Sequence, residues 1–178
     1  MIRTRVGYAG GQTVSPTYSN IGDHTETVQV DYDPELLTYD QLLDVFWKSH
    51  KPTRGTRPGQ YMKAVFYHNE QQRDQALASK TALEQELGSP VMTEIVPVRS
   101  FTMAEDYHQK FTLKRFDGLK NEMSRIYPRH QDLVYSTAAA RLNGYAGNHG
   151  TKEQLREEIE RLGLSVEGKK VLTDMVRR

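Results

Sequence analysis

Alternation and helical spacing succeed one another along the chain. Residues 2–10, "IRTRVGYAG", alternate loosely and predict a strand that runs into a glycine turn. Residues 16–24 read as loop. Residues 25–34, "TETVQVDYDP", alternate strictly, with Thr25, Thr27, Gln29 and Asp31 on one face and Glu26, Val28, Val30 and Tyr32 on the other. Glu26 is the odd member of an otherwise apolar face, and Asp33-Pro34 ends the strand. Residues 60–68, "QYMKAVFYH", and 91–98, "VMTEIVPV", read as further strands, with Pro97 marking an edge or an end.

Helices are announced by their caps. Thr38 and Gln41 form a capping-box pair ahead of "YDQLLDVFWKSH". Asn69 caps residues 70–87, and Gly88 stands where a C-terminal glycine belongs. Residues 51–59 form a basic loop without periodicity, and residues 101–111 enter a short helix. Past Pro128 the character changes. Residues 131–142 look helical, "NGYAGNHG" reads as a second glycine-rich loop, Thr151 and Gln154 form another capping box, and Ser165 starts a last helix through Val176. Leu155, Ile159, Leu162, Val171, Leu172 and Met175 carry the spacing of helices that dock on a domain. "NGYAG" echoes "GYAGG", but two short glycine loops are weak evidence for a repeat. The order strand, helix, strand, helix, strand predicts an α+β fold, a two-layer sandwich with helices on one side of a mixed sheet, followed by a helical extension. The expected parts are residues 1–127 and 128–178.

Composition narrows the function classes. A chain of 178 residues fits one domain with a small helical appendage. The formal net charge of +1 gives no case for nucleic acid or an anionic membrane as partner. No apolar run approaches a bilayer span, and no signal-peptide pattern is present, so a cytoplasmic, soluble protein is the expectation. The six histidines show no metal-ligand spacing, and neither metal nor cofactor is expected. The cysteine count is zero, which removes a thiolate nucleophile from these residues.

Six blocks, "VGYAGG", "PTY", "DHTETVQVDYDP", "LLDVFWKSHKPT", "QYMKAVFYH" and "AEDYHQKF", occur in order over residues 5 to 112. Together they resemble the A-type peptide methionine sulfoxide reductases. The resemblance implies a ferredoxin-like core and reduction of the S-epimer of methionine sulfoxide by thiol chemistry. A cysteine thiolate attacks the sulfoxide sulfur, a sulfenic acid remains, and other thiols, usually thioredoxin at the end, reduce it. The family's nucleophile lies in a Gly-Cys-Phe-Trp motif between the first strand and first helix, ahead of the block that opens this chain. The expectation is therefore a truncated or late-start member without that segment, inactive alone, with uncovered apolar sheet surface and an unpaired edge at residues 2–8.

The same resemblance assigns the remaining site. Glu26 of "DHTE" matches a glutamate that helps protonate the sulfoxide oxygen, and Tyr18 and Tyr61 match two tyrosines that hydrogen-bond it. On an apolar strand face, Glu26 is expected to hold a proton near neutrality; the rival reading puts it at a sheet edge, meeting water or a lysine. The tyrosines rise above ordinary packing roles only by their motif positions. Gly7, Gly10 and Gly11 suit tight backbone geometry rather than phosphate binding. The family's aspartate loop is shortened, with no aspartate between His50 and Tyr61, and Arg54 or Arg57 could come near instead. Trp47 is most simply core, and His108 either supports the site residues from behind or is structural. Two other classes stay open: a cysteine-free module that binds sulfoxide or another polar group, and an interaction protein that uses its helical tail.

Overall fold

The computed structural model describes residues 1–176. It is an α+β fold. Strands β1 (Arg3–Ala9), β2 (Thr25–Asp31) and β5 (Phe101–Met103) form one sheet in the order β2-β1-β5, and β3 (Ala64–Tyr67) and β4 (Glu94–Pro97) form a second. β1 and β5 run antiparallel with Gly7 opposite Met103; β3 and β4 run parallel with Ala64 opposite Glu94. Strands in two sheets replace the single mixed sheet that the pattern predicts. The physical reason lies at the outer edge of β2, where a loop rather than a strand makes the next hydrogen bonds: Glu26 N–H donates to the Gln60 carbonyl at 3.0 Å. β1 is also no free edge, because β2 and β5 flank it on both sides.

The chain divides into two compact units. The first spans Val6–Val28 and Tyr32–Ala104. Helix α1 (Tyr39–Lys48) starts at Thr38, whose hydroxyl accepts from Gln41 N–H while the Gln41 side chain accepts from Thr38 N–H, so the predicted capping box is made in both directions. Helix α2 (Glu70–Leu87) is capped by Asn69 and closed by Gly88 at φ 60°, a left-handed position that costs glycine little. It links the parallel pair β3 and β4, as such a pair requires. The core between the helices holds Leu43, Trp47, Ala76 and Val91, and the Trp47 indole N–H donates to Ser79 Oγ at 3.1 Å. Trp47 is core, as expected.

The second unit gathers Met1–Arg5, Gln29–Asp31 and the chain from Glu105 onward. It contains α3 (Phe111–Lys114), α4 (Asp117–Ile126), α5 (His130–Tyr135), α6 (Thr137–Ala146), α7 (Lys152–Glu158), a 3₁₀ turn at Ile159–Arg161 and α8 (Val166–Val176). Their shared core includes Leu119, Met123, Leu142, Leu155 and Leu172. Two predicted boundaries move. The single helix expected over 131–142 is broken at Ser136, whose N–H bonds back to Leu133 while its Oγ accepts from Ala139 N–H to cap α6. The second glycine loop begins only at Gly147, since residues 143–146 continue α6. Helix α4 escapes prediction because its N-cap, Phe116, makes no side-chain capping bond. At the strand end of this unit, Arg3 and Arg5 both pair with Asp31 (2.9 and 2.6 Å) and both lie over the Tyr135 ring. Lys110 is buried and donates to the Thr4 carbonyl; burial first, then the Arg5 and Lys114 charges, bring it down to about 8.

Leu142 is fully buried at the centre of the helical core. Leu142→Ala is expected to cost about 2–5 kcal/mol in urea unfolding of the chain. An unchanged midpoint would mean that the helices do not share this core.

Candidate active site

The glycine turn after β1 is held by the residues just ahead of β2. Gly10 has φ +86°, and a Cβ there would lie 2.7 Å from the Phe66 ring, so both conformation and space call for glycine. Gly11 N–H donates to His24 Nδ1 at 3.3 Å, and His24 Nε2–H donates to the Thr13 carbonyl at 2.9 Å. These two bonds set the tautomer of a buried imidazole. Asp23 completes the clasp. Its carboxylate accepts from Gln12 N–H (2.8 Å), Thr13 N–H (3.0 Å) and Thr13 Oγ (2.8 Å), and these bonds hold its pKa far below the usual carboxylate range. The loop between is a tight turn in which Thr17 and Asn20 exchange backbone hydrogen bonds, and Tyr18 stands at its tip, 46% exposed.

Strand β2 leaves His24 and meets the loop before β3. Thr25 Oγ1 donates to the Gly59 carbonyl at 3.0 Å, Glu26 N–H donates to the Gln60 carbonyl at 3.0 Å, and Gln60 Nε2 donates to Glu26 Oε1 at 2.7 Å. Glu26 is thus gripped through both backbone and side chain by the residue next to Tyr61. Tyr61 itself is 68% exposed. The structure brings Glu26 together with Gln60, the chain neighbour of Tyr61, and places Tyr18 on the Thr17–Asn20 turn.

The expected burial of Glu26 in an apolar face is overturned. Glu26 is exposed, and its face-mate Val28 is 59% exposed; the buried side of β2 is the one that starts with Thr25. Alternation identified two faces correctly but assigned the inward one by polarity. Thr25 is accepted inside because its hydroxyl finds the Gly59 carbonyl. The loop over residues 51–59 closes on Lys63, whose Nζ donates to the Lys51 and Arg54 carbonyls at 2.8 Å each, and Arg54 and Arg57 are exposed. His50 donates from Nδ1 to the Phe46 carbonyl and accepts at Nε2 from Thr93 Oγ1; burial lowers its pKa. Among the described residues no group of three or more His, Cys, Asp or Glu side chains is arranged to hold a metal ion, and no helix is long and apolar enough to cross a membrane.

Gln60 and Asp23 went unnoticed in the pattern. Each had a signal, since Gln60 precedes Tyr61 in "QY" and Asp23 precedes His24 in "GDHTE".

A sequence profile described as peptide methionine sulfoxide reductase matches residues 1–141. The chain belongs to the peptide methionine sulfoxide reductase family. It is 41% identical to the peptide methionine sulfoxide reductase of Drosophila melanogaster, over 93% of this chain and 67% of that protein. The enzyme named MsrA from Methanosarcina acetivorans is 47% identical over 65% of this chain and 67% of its own length. Among solved structures, methionine sulfoxide reductase A of Corynebacterium diphtheriae is similar with a TM-score of 0.53 and 33% identity, over 62% of each chain. Mxr1 of Saccharomyces cerevisiae in reduced form is similar with a TM-score of 0.55 and 28% identity, over 59% of this chain and 66% of that one. The chain spans about two thirds of the length of the relatives it matches. The stretch matched to the methionine sulfoxide reductase family carries the glycine clasp, Tyr18, Glu26 and the Gln60-Tyr61 pair.

The Asp23 clasp makes a pH prediction. A carboxylate with a depressed folded pKa contributes stability above the unfolded value and loses it as pH falls through the folded one. The amide resonances of Gln12 and Thr13 should therefore hold their positions as pH falls through the ordinary carboxylate range, and shift only in stronger acid. In Asp23→Asn both amides should lose hydrogen-exchange protection at neutral pH. A midpoint near 4, or undiminished protection in the variant, would contradict the clasp.

Proposed function

We propose that this chain recognises and activates methionine sulfoxide in peptides and proteins. Residues 1–127 form the reductase-like part, and residues 128–178 a helical extension; a cytoplasmic setting fits this role. The phenols of Tyr18 and Tyr61 donate to the sulfoxide oxygen, since a phenol is a good donor that stays protonated at pH 7. Glu26 supplies the proton that makes this oxygen a leaving group. Gln60 positions Glu26 through its 2.7 Å bond, and the observation that carries the reading is this grip on Glu26 beside Tyr61 within the family-matched stretch.

Reduction itself needs a thiol, and the 178 residues contain no cysteine. The thiolate therefore comes from outside them. It attacks the sulfoxide sulfur and forms an S–S bond while the protonated oxygen leaves as water; water then attacks the thiol-derived sulfur, the S–S bond breaks, the sulfide is released and a sulfenic acid remains. A second thiol condenses with this acid to a disulfide with loss of water, and a further thiol, such as that of thioredoxin, reduces the disulfide to the starting thiol. The zero cysteine count also favours a second reading, a module that binds sulfoxides without reducing them.

Incubated with dithiothreitol and a peptide methionine S-sulfoxide, the 178-residue chain is expected to give no methionine above the reductant-only control. Turnover above that control would show that dithiothreitol in solution can serve as the attacking thiolate, and would overturn the need for a cysteine held beside Glu26. Saturable binding of the sulfoxide peptide without turnover would support the second reading.

Joined behind the Gly-Cys-Phe-Trp segment of a family member, the chain should reduce the peptide. In that fusion Glu26→Gln should lower kcat by about 10²–10⁴-fold with little change in stability. Tyr18→Phe and Tyr61→Phe should each cost less, because one phenol partly covers for the other. Full activity in Glu26→Gln, with activity lost in both tyrosine variants, would take the proton donor's role away from Glu26.

A further inference from the structure

Within the helical unit, a pocket of 310 Å³ opens between α3, α4 and α5. Its inner wall is apolar, formed by the buried side chains of Leu113, Met123 and Leu133, while the exposed residues Lys120 and Ser124 stand at its mouth. Three polar groups line one side and form a chain. Lys114 Nζ, at the end of α3, donates to His130 Nε2 at 2.8 Å and also to the Asp106 carbonyl. To accept at Nε2, a neutral imidazole must carry its proton on Nδ1, and His130 Nδ1 lies 3.0 Å from Asp106 Oδ1. Amine, imidazole and carboxylate are thus in line, with the tautomer set by the carboxylate.

We propose that Lys114 is a reactive amine that forms a Schiff base with small, largely apolar aldehydes seated in this pocket. Lys114 passes a proton to His130 Nε2, and Asp106 stabilises the imidazolium. The freed nitrogen lone pair forms the C–N bond to the carbonyl carbon, and the carbonyl oxygen takes the proton back from His130. The second proton on nitrogen then travels through the same imidazole to this oxygen, the C–O bond breaks, and one water leaves. Aldehyde and amine give imine and water, with no oxidant or reductant required. Desolvation also lowers the pKa of Lys114, with Lys120 acting in the same direction and Asp106 opposing it, so the neutral amine is more accessible than on a solvated lysine. The apolar wall selects the body of the aldehyde. A merely structural role, tying α3 to α5, would need the hydrogen bonds but would give Lys114 no excess reactivity.

The test is reductive trapping on the full chain. Benzaldehyde with cyanoborohydride is applied at neutral pH, and the initial rate of labelling at each lysine is read by peptide mass mapping. Lys114 is expected to label about ten-fold or more faster than the exposed Lys152, the excess expected of a nucleophile with an adjacent base. Glycolaldehyde, small and polar, should show a much smaller preference. Asp106→Asn, at an exposed position, and His130→Gln should each bring Lys114 down towards the Lys152 rate, with unfolding by urea as the check on folding; if His130→Gln unfolds, Asp106→Asn decides. Equal labelling of Lys114 and Lys152, the same preference with glycolaldehyde, or an unchanged Lys114 rate in Asp106→Asn would overturn the proposal.

Discussion

The pairing of β1 on both of its edges is the constraint on which the rest of the fold depends. β5 can come alongside only because position 7 has no side chain: a Cβ on Gly7 would sit 2.3 Å from the Thr102 carbonyl oxygen. One end of the same strand presents Arg3 and Arg5, which converge on Asp31; the other end runs into the turn that Asp23 and His24 hold. A few residues therefore specify a sheet position, an ion-pair cluster and a loop. Substituting glycine 7 would act first on β5, through the Thr102 carbonyl and the Phe101 ring, whereas losing Asp23 removes the bonds to Gln12 and Thr13.

Membership of the peptide methionine sulfoxide reductase family and a cysteine count of zero bear on each other. The side chains that meet a sulfoxide oxygen and the sulfur that accepts it do different physical work. Polarising an S–O bond needs donors and a proton; taking the oxygen needs a nucleophile whose own sulfur can be oxidised. Glu26, Tyr18 and Tyr61 are all exposed, so any group that meets them arrives directly from solvent.

Much of the local structure was legible in the residues. Both capping boxes and the Asn69 cap are set by hydrogen bonds that span three residues, the Gly88 stop by a left-handed backbone conformation, and the structure makes them as read. The α+β class followed from periodicity. What escaped was non-local. Which face of β2 turns inward depends on a carbonyl at Gly59, far along the chain, and no alternation rule contains it. Division of the strands into two sheets depends on the same loop. Ser136 was hidden differently, because one serine inside an apolar helical pattern gives no sign that it ends one helix and caps the next. Motif order points to Glu26, Tyr18 and Tyr61 and holds Gln60 in the same block as Tyr61, but what Gln60 does shows only in the bond from its amide to the Glu26 carboxylate.

The composition of the helical unit has a kinetic side. Its parts are Met1–Arg5, Gln29–Asp31 and the chain from Glu105 onward. During synthesis the first two pieces emerge ahead of the helices and can pair only with each other until the helices are made. Lys110 reaches Thr4, and Tyr135 reaches Arg3 and Arg5, across more than a hundred intervening residues. Closing such long loops is slow, and it comes after the intervening unit, Val6–Val28 with Tyr32–Ala104, has already left the ribosome. The first five residues of this chain thus wait for helices made about a hundred residues later before their last contacts form.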